Sequence, residues 1–199
     1  MMADFETILE RGGALILPTE TVYGLFASAL NEEAVKGVYQ LKRRPLDKAL
    51  NLNVASLEDI LAFSKNQPPY LEKLYQTFLP GPLTLILEAN QAVPSWVNSG
   101  MASVGFRIPS HPLTLDLIRK CGPLIGPSAN LSGQASGLHF DQIQADFKGQ
   151  VDGFKDDDFL TGQDSTILDL STSKARILRQ GAISKEELVS ALPQLIFQD

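Results

Sequence analysis

Short apolar runs that alternate with amphipathic helical patterns constrain the fold of this chain more than any other feature. Residues 14–17 form an apolar run between a glycine pair and Pro18, which is typical of a buried strand. Apolar residues then recur at helical spacing over 31–41, and Pro45 ends that segment. Residues 50–54 alternate strictly between apolar and polar, which indicates a strand with one face in the core. The pattern therefore predicts a layered domain of mixed helices and strands.

The remainder of the chain continues this alternation without an internal repeat, a low-complexity tract or a linker. Asn31, Ser56 and Ser184 are expected to cap helices, and Ser184 begins a capping box with Glu187. Further helices are predicted at 56–63, 71–78, 113–120 and from 184 onward, and further strands at 83–88, 103–108, 124–126, 166–170 and 176–178. We expect one α/β or α+β domain over residues 1–199.

Composition excludes several classes of protein. The chain is 44% hydrophobic and 20% charged, the globular average, which disfavours intrinsic disorder, a coiled coil and a collagen-like fibre. No apolar run approaches the roughly 20 residues of a membrane-spanning helix. Asp4 and Glu6 stand where a signal peptide would be basic. We therefore expect a cytoplasmic protein without a membrane partner.

Cysteine, histidine and net charge limit the metal and nucleic-acid chemistry. One cysteine, Cys121, and two histidines exclude an internal disulfide framework and the usual zinc clusters. We expect no metal site made by protein side chains, and any metal to be Mg²⁺ that arrives with a phosphate ligand. Cys121 is predicted to be a small buried residue. The net charge of −6 disfavours a surface built for nucleic-acid phosphates, and the acidic run 156–158 is predicted to be a solvated loop.

Two N-terminal segments carry more polar chemistry than a scaffold requires. Residues 18–25, Pro-Thr-Glu-Thr-Val-Tyr-Gly-Leu, place hydroxyl groups at a strand exit, where α/β proteins bind ligands, although a capped turn would explain them equally well. Residues 42–48 gather four cations at a helix C-terminus. The helix dipole accounts for one or two of these cations but hardly for four. A phosphate clamp is therefore the alternative explanation.

Two later segments have a similar character. Over 103–108, alternation puts Arg107 and a glycine on the polar face of a strand, where the guanidinium can bind a carboxylate or a phosphate, or simply pair with an acidic neighbour. Residues 126–133, Gly-Pro-Ser-Ala-Asn-Leu-Ser-Gly, follow a strand and are either a plain turn or a loop that presents hydroxyls and an amide. The chain contains neither a P-loop nor a dinucleotide fingerprint, so any nucleotide must be held by side chains from dispersed loops.

The four segments, followed in order by Ser-Thr-Ile-Leu-Asp at 165–169 and Ile-Leu-Arg-Gln-Gly at 177–181, resemble the YrdC-like family of threonylcarbamoyl-AMP synthases over about residues 12–183. The resemblance implies a twisted, open mixed sheet with flanking helices and a concave ligand cleft, in the short single-domain form. It also implies a nucleotidyltransferase. That enzyme would convert L-threonine, bicarbonate and ATP into L-threonylcarbamoyl-AMP and pyrophosphate, for modification of adenosine 37 in tRNA.

The resemblance further implies a role for each site residue. Mg²⁺ would accompany ATP, and the product would pass to the tRNA threonylcarbamoyl-transfer proteins, with at most a weak contact to tRNA itself. Lys42 and Arg44 would act in catalysis. The implied nucleotide contacts are Lys42, Arg44, Lys48, Ser103, Asn130 and Arg179, and the implied threonine contacts are Thr21, Asn53, Arg107, Ser128 and Ser165.

The chain departs from the family pattern at several positions. Ala49 replaces a frequent proline, Asn53 replaces a frequent histidine, and Gln180 replaces a common proline. Residues 135–139 differ from the usual loop sequence.

Two rival functions are a non-catalytic module that binds tRNA or double-stranded RNA in the same cleft, and a carbamoyl-transfer domain of the hydrogenase-maturation type. The net charge disfavours the first, and the single cysteine and chain length disfavour the second.

Overall fold

Nine strands build the centre of the molecule in the computed structural model, which describes residues 2–199 and side chains from Asp4 onward. Most are short, in keeping with the short apolar runs of the sequence. They are β1 (Leu15–Pro18), β2 (Tyr23–Ser28), β3 (Leu52–Asn53), β4 (Leu83–Glu88), β5 (Ser103–Arg107), β6 (Leu124–Ile125), β7 (Asp152–Gly153), β8 (Thr166–Asp169) and β9 (Arg176–Arg179).

Eight helices and one turn of 3₁₀-helix (Asp157–Phe159) surround the strands in the described part of the chain. Among residues 2–199, none of these helices combines the length and the apolar character needed to cross a membrane. The helices are α1 (Met2–Glu10), α2 (Glu32–Lys42), α3 (Leu57–Phe63), α4 (Leu71–Phe78), α5 (Ser95–Asn98), α6 (Pro112–Cys121), α7 (Phe140–Asp146) and α8 (Lys185–Ala191).

All nine strands belong to one open mixed sheet. Their order is β7-β1-β2-β6-β3-β5-β4-β8-β9. The pairs β1–β7, β3–β5 and β4–β8 are parallel, and the other neighbours are antiparallel. The expected α/β class with a mixed sheet and flanking helices is confirmed.

Alternate side chains of β1 and β2 enter two apolar clusters. Ile16 and Leu25 belong to the larger cluster, whereas Leu15, Leu17 and Phe26 belong to the smaller one, and all five are fully buried. The smaller cluster also takes side chains from α1 and α6, so helices cover the sheet on both faces. Strands buried on both faces lose the polar alternation that makes a strand easy to recognise in a sequence.

The predicted helix caps are confirmed. Asn31 Oδ1 accepts the Ala34 amide at 3.1 Å, and Ser56 Oγ accepts the Asp59 amide at 3.2 Å. Ser184 forms the complete capping box at the start of α8. Helix α4 and strand β4 also have the predicted bounds. Local capping chemistry located the starts of α2, α3 and α8, and helical spacing located α4.

The sequence prediction missed the strands β2 and β7 and the helices α1, α5 and α7. Strand β2 begins in a segment rich in threonine, tyrosine and glycine, and its first five residues are all buried, so it shows neither alternation nor a turn-bounded apolar run. Of the strand predicted over 50–54, only Leu52–Asn53 forms β3, although the Val54 amide also donates to the Arg107 carbonyl at 2.9 Å. Its apolar residues Leu50, Leu52 and Val54 are nevertheless buried, as predicted.

The acidic run 156–158 is not the solvated loop that the sequence predicted. The Tyr23 hydroxyl donates to Asp157 Oδ1 at 2.6 Å and accepts the Asp156 amide at 2.8 Å. The Phe140 amide also donates to Asp157 Oδ1, and His111 Nε2 lies 3.0 Å from Asp156 Oδ2. Burial and the hydrogen bond to Asp157 raise the pKa of Tyr23 well above its ordinary value. Two of the three aspartates therefore anchor this segment to β2.

Candidate active site

A cavity of about 330 Å³ opens where the β1–β2 turn meets the ends of β3, β5 and β8. This volume lies within the range of small-molecule sites. Polar and charged side chains dominate its wall. The cavity is lined by Thr19, Thr21, Val22, Tyr23, Gly24, Arg44, Ala49, Leu50, Asn51, Asn53, Thr84, Arg107, Gly126, Pro127, Ser128, Ser136, Asp164, Ser165, Ile167 and Arg179.

Most of the site residues predicted from the sequence come together at this cavity, although they are spread over more than 150 positions of the chain. The residues that line it are Thr21, Arg44, Asn53, Arg107, Ser128, Ser165 and Arg179. The predicted residues that do not line it are Lys42, Lys48, Ser103 and Asn130.

Lys42 lies at the end of α2 and supports the loop that carries Ser128 and Asn130. Its ammonium Nζ donates to the Ser128 carbonyl at 2.5 Å and to the Asn130 carbonyl at 2.6 Å, and Lys42 is only 2% exposed. The Ser132 amide donates back to the Lys42 carbonyl at 2.9 Å. Burial and the neighbouring Arg44 guanidinium lower the pKa of Lys42 to about 8, so the ammonium is still mostly charged at pH 7. The structure therefore engages Lys42 with backbone carbonyls, where the sequence predicted a phosphate contact.

Arg44 and Lys48 belong to the same basic segment, but only Arg44 lines the cavity. Arg44 Nε donates to the Lys48 carbonyl at 3.2 Å, and Nη2 donates to the Ala49 carbonyl at 2.8 Å. The Tyr39 hydroxyl also donates to the Lys48 carbonyl, at 2.7 Å. Lys48 is exposed, and so is Arg43, which lines a different and shallower groove. Of the four clustered cations, Arg44 is the one placed to contact a ligand in the cavity.

Asn130 and Ser103 lie outside the cavity wall for different reasons. Asn130 organises its own loop, because its Nδ2 donates to the carbonyls of Leu131 and Gln134 and its Oδ1 accepts the Ser128 hydroxyl. Ser103 starts β5, and its carbonyl accepts the Asn98 side chain at 3.1 Å. Arg107 lies four positions further along the strand, a span of roughly 13 Å.

Arg107 is fixed in the wall by three groups of the protein. Its Nε donates to the Gly81 carbonyl at 2.9 Å, and its Nη2 pairs with the Glu20 carboxylate and lies 3.4 Å from Thr21 Oγ1. Glu20 also accepts the Ser110 amide at 2.7 Å and the Ser110 hydroxyl at 3.1 Å. Nη1 makes no hydrogen bond within the described part of the chain, so Arg107 keeps donors for a ligand while Glu20 orients it.

We expect the Glu20→Gln substitution to weaken the dependence of folding stability on acid pH. Burial raises the pKa of Glu20, but the Arg107 charge and the Ser110 amide outweigh it, and the net pKa lies below its ordinary value of 4.5. The stabilisation by this carboxylate is therefore complete above about pH 4.5 and is lost as the pH falls through the depressed pKa.

At pH 7 the Glu20→Gln variant should lose about 1.5 to 3 kcal/mol of stability, the range for hydrogen bonds to charged groups. Urea unfolding between pH 3 and pH 7 measures both effects. Asp158→Asn, at an exposed aspartate, is the control that should follow the wild type. A Gln variant with the full acid dependence of the wild type would show that the Glu20 carboxylate does not contribute it.

Ser165 connects the cavity to β4 and β9. Its hydroxyl lies 2.9 Å from Thr84 Oγ1 and accepts from Arg179 Nη2 at 3.0 Å, while Arg179 Nε donates to the Ser165 carbonyl at 3.0 Å. Gly181 packs so closely here that a Cβ atom would lie 2.4 Å from the Ser165 carbonyl carbon. The Arg179 guanidinium is therefore held at the wall by two bonds to one residue.

Asn51 and Asn53 present side-chain amides to the cavity. Neither amide has a hydrogen-bond partner among residues 4–199, although Asn53 is only 4% exposed. Asn51 lies across Gly105, where a Cβ atom would come within 2.1 Å of its Oδ1. The predicted shared face of the two asparagines is thus confirmed, and Gly105 leaves room for one of them.

Sequence reasoning missed several lining residues. Thr84 is a buried threonine whose hydroxyl bonds to Ser165, and nothing in a single sequence separates it from an ordinary core threonine. Thr19, whose hydroxyl bonds to Thr21, lies in the segment 18–25 that the sequence singled out, but it was not predicted as a site residue. Ser136 lies in a loop that the sequence analysis treated as uncertain. Asn51 carried a usable signal, since it shares a strand face with Asn53. Asp164 carried none, because an isolated aspartate before a strand is usual.

The wall of the cavity is electropositive, in contrast to the chain as a whole. Three arginines and one aspartate line it, which leaves two net positive charges in a protein of net charge −6. Neither histidine nor cysteine appears in the wall among the described residues, and Cys121 is half-buried elsewhere rather than buried as predicted. In the described part of the chain no three histidine, cysteine or acidic side chains are grouped to hold a metal ion. The site is therefore suited to an anion.

Comparison with known proteins identifies related sequences over nearly the whole chain. A sequence model of the Sua5–YciO–YrdC family, described as telomere recombination, matches residues 7–181. The threonylcarbamoyl-AMP synthase of Pyrococcus abyssi is 36% identical over 189 residues, which cover 94% of this chain and 56% of that protein. The threonylcarbamoyl-AMP synthase of Bacillus subtilis is 36% identical over 194 residues, 96% of this chain and 56% of that protein.

A solved structure has the same fold. The crystal structure of P. abyssi Sua5 complexed with L-threonine matches with a TM-score of 0.92 and 34% sequence identity, over 99% of this chain and 58% of that one. The chain thus spans a little over half the length of these relatives.

Proposed function

This chain belongs to the Sua5–YciO–YrdC family, and on that basis we propose that it is a threonylcarbamoyl-AMP synthase. The reaction converts L-threonine, bicarbonate and ATP into L-threonylcarbamoyl-AMP, pyrophosphate and water. The observation that supports it is the electropositive cavity around Arg107 and Thr21, in a chain similar to a protein solved with L-threonine. The P. abyssi and B. subtilis relatives carry the same activity in their names.

Two groups of side chains would divide the substrates between them. Arg107 would bind the threonine carboxylate with its uncommitted Nη1, and Thr21, Ser128 and Ser165 would bind the remainder of the amino acid. The asparagine amides of 51 and 53 would donate to substrate oxygens. Arg44 and Arg179 would bind the phosphates of ATP, with Lys42 holding the loop of Ser128 in place.

The chemistry needs two anions close together. The threonine amine adds to CO₂ or bicarbonate to give a carbamate, and a carbamate oxygen then attacks the α-phosphorus of ATP while pyrophosphate leaves. Negative charge on the phosphoryl oxygens increases as the bond to pyrophosphate breaks. Arginines already fixed by protein hydrogen bonds would stabilise that charge without reorganising. We expect this electrostatic stabilisation to be the largest contribution of the wall to the reaction rate.

Mg²⁺ would enter with the triphosphate and be held by its oxygens. The wall fits this arrangement, since among the described residues it offers arginines for phosphate and one carboxylate, too few for a metal site made by these residues alone. Bound Mg²⁺ would neutralise part of the triphosphate charge. The product would then pass to tRNA threonylcarbamoyl-transfer proteins, with a weak contact to tRNA at most.

We expect pyrophosphate release only when ATP, Mg²⁺, L-threonine and bicarbonate are all present. In the proposed reaction the oxygen that attacks ATP comes from the threonine carbamate, so ATP alone should be inert. Omission of each component in turn, with radiolabelled pyrophosphate as the readout and mass spectrometry of the adenylate, tests the proposal. Equal turnover without threonine would refute it, and a non-catalytic RNA-binding module would give no turnover at all.

Serine should be a poor substrate. It lacks the threonine methyl group, and an apolar contact discriminates one methyl by about 1 to 3 kcal/mol. Val22 and Ile167 line the cavity and can supply that contact. We expect kcat/KM for threonine to exceed that for serine by roughly tenfold or more. Equal use of serine would exclude a methyl pocket and leave the reaction itself unaffected.

A further inference from the structure

Asp164 is the one acidic residue that lines the cavity among the residues described. Its carboxylate makes no hydrogen bond and no ion pair within that part of the chain, and the residue is half-buried. The other charged residues of the wall are three arginines. A free carboxylate among arginines that would bind phosphate calls for an explanation, because it weakens binding of any purely anionic ligand.

The backbone around Asp164 is firmly fixed. Its carbonyl accepts the Ala182 amide at 3.0 Å, and a Cβ atom on Gly181 would lie 2.3 Å from that carbonyl oxygen. Two residues earlier, the Gly162 amide donates to the Thr21 carbonyl at 2.9 Å. The segment 162–165 therefore runs from the Thr21 side of the cavity to Ser165. A residue on such a rigid segment keeps its place when a ligand binds.

The charge pattern of the wall fits a zwitterion. An α-amino acid carries a carboxylate and an ammonium only about two bonds apart, so its site needs a cation and an anion within reach of each other. Arg107 and Thr21 provide the first. Asp164, at the other end of the segment bonded to Thr21, provides the second. ATP and bicarbonate offer no cationic group of their own that would need this carboxylate.

We propose that Asp164 binds the ammonium group of the amino-acid substrate and so selects amino acids over 2-hydroxy acids. The proposal rests on the proposed function and deepens it by assigning the amine subsite. A charge-assisted contact of this kind separates the amine from a neutral hydroxyl. Binding should therefore depend on Asp164 for threonine but not for its 2-hydroxy analogue, 2,3-dihydroxybutyrate.

Calorimetric titration of the full chain with these two ligands and with Mg²⁺-ATP tests the assignment without requiring turnover. We expect wild-type protein to bind threonine at least tenfold more tightly than 2,3-dihydroxybutyrate. Asp164→Asn should weaken threonine binding at least tenfold, bring the two ligands within about threefold, and leave ATP within about twofold. Asp164→Glu, which keeps the charge, should retain most of the discrimination. Asp158→Asn is the matched control at an exposed acid.

The outcomes separate this inference from the proposed function. If wild-type protein binds threonine and Asp164→Asn binds it equally well, the amine subsite is elsewhere and the proposed function stands. If the Asn variant loses ATP affinity while threonine is unaffected, Asp164 belongs to the nucleotide or its Mg²⁺, and the proposal is overturned. If wild-type protein binds no threonine with or without a non-hydrolysable ATP analogue, both proposals fall. Thermal unfolding of each variant confirms that its fold is intact.

Discussion

Replacing Lys42 with methionine should lower the rate of pyrophosphate release by about 100-fold and destabilise the ligand-free protein. Lys42 Nζ donates to the carbonyls of Ser128 and Asn130, and methionine leaves both without that donor. The Ser128 carbonyl still accepts the Asn130 amide at 2.9 Å, so only the Asn130 carbonyl is left unsatisfied, at a cost of about 1 to 3 kcal/mol. The loop that presents Ser128 to the cavity would shift to recover a donor, and a displacement of about 1 Å in a catalytic wall can cost 10²-fold in rate.

The stability of the ligand-free protein distinguishes this positioning role from direct phosphate binding. A lysine that only bound phosphate would be dispensable without ATP, and its replacement by an apolar residue would leave unfolding unchanged or make it harder. We expect instead a loss of about 1 to 3 kcal/mol in the free energy of unfolding by urea without ligand, together with weaker binding of both substrates. A Lys42→Met protein as stable as the wild type would contradict the positioning role and support the phosphate contact that the sequence predicted.

Arg43→Ala is the matched control for Lys42→Met. Arg43 is the next residue, is exposed, and lies outside the wall of the cavity. It already adopts a left-handed conformation with φ of 51°. Alanine therefore adds no backbone strain that arginine does not have. We expect Arg43→Ala to release pyrophosphate at a rate within about twofold of the wild type. A severe loss of activity in this variant would mean that the roles of the cations in this segment are assigned to the wrong residues.

Lys42 and Arg44 illustrate which features of this site could be predicted from the sequence and which could not. The four clustered cations predicted a functional segment, because a helix C-terminus does not require so many, and the structure places one of them, Arg44, in the cavity wall. Arg44 bonds to the nearby carbonyls of Lys48 and Ala49, whereas the carbonyls that hold Lys42 belong to residues more than 80 positions away. A single sequence records residue types but not the fold that brings a lysine under a distant loop.

The helices and strands show the same distinction between local sequence patterns, which are predictable, and long-range contacts, which are not. Helix α4 and strand β4 were predictable because their periodicity and the proline-rich turn between them are local. Strand β2 was not, because it is buried between β1 and β6 and its polar start resembles a loop. Likewise, Asn53 and Arg107 were predicted separately. Only the parallel pairing of β3 with β5 makes them direct neighbours in the wall.

Arg107→Lys should raise the KM for threonine about 100-fold and change the KM for ATP by less than about threefold. The guanidinium donates to the Gly81 carbonyl and to Glu20 and still has Nη1 available for a carboxylate. A lysine ammonium is a point charge on a flexible stem and cannot reproduce this fork. Two charge-assisted hydrogen bonds at about 1.5 kcal/mol each account for a factor of roughly 100.

Arg119→Lys is the control for this substitution, since Arg119 is exposed in the last turn of α6 and lies outside the cavity wall. Steady-state pyrophosphate release, with one substrate varied and the others saturating, gives both KM values. The positive charge survives in Arg107→Lys, so a simple loss of electrostatic attraction would leave threonine binding nearly intact. A large effect on threonine alone therefore requires the geometry of the guanidinium. A rise in the KM for ATP instead would assign Arg107 to the nucleotide and leave the threonine carboxylate to the asparagine amides and hydroxyls of the wall.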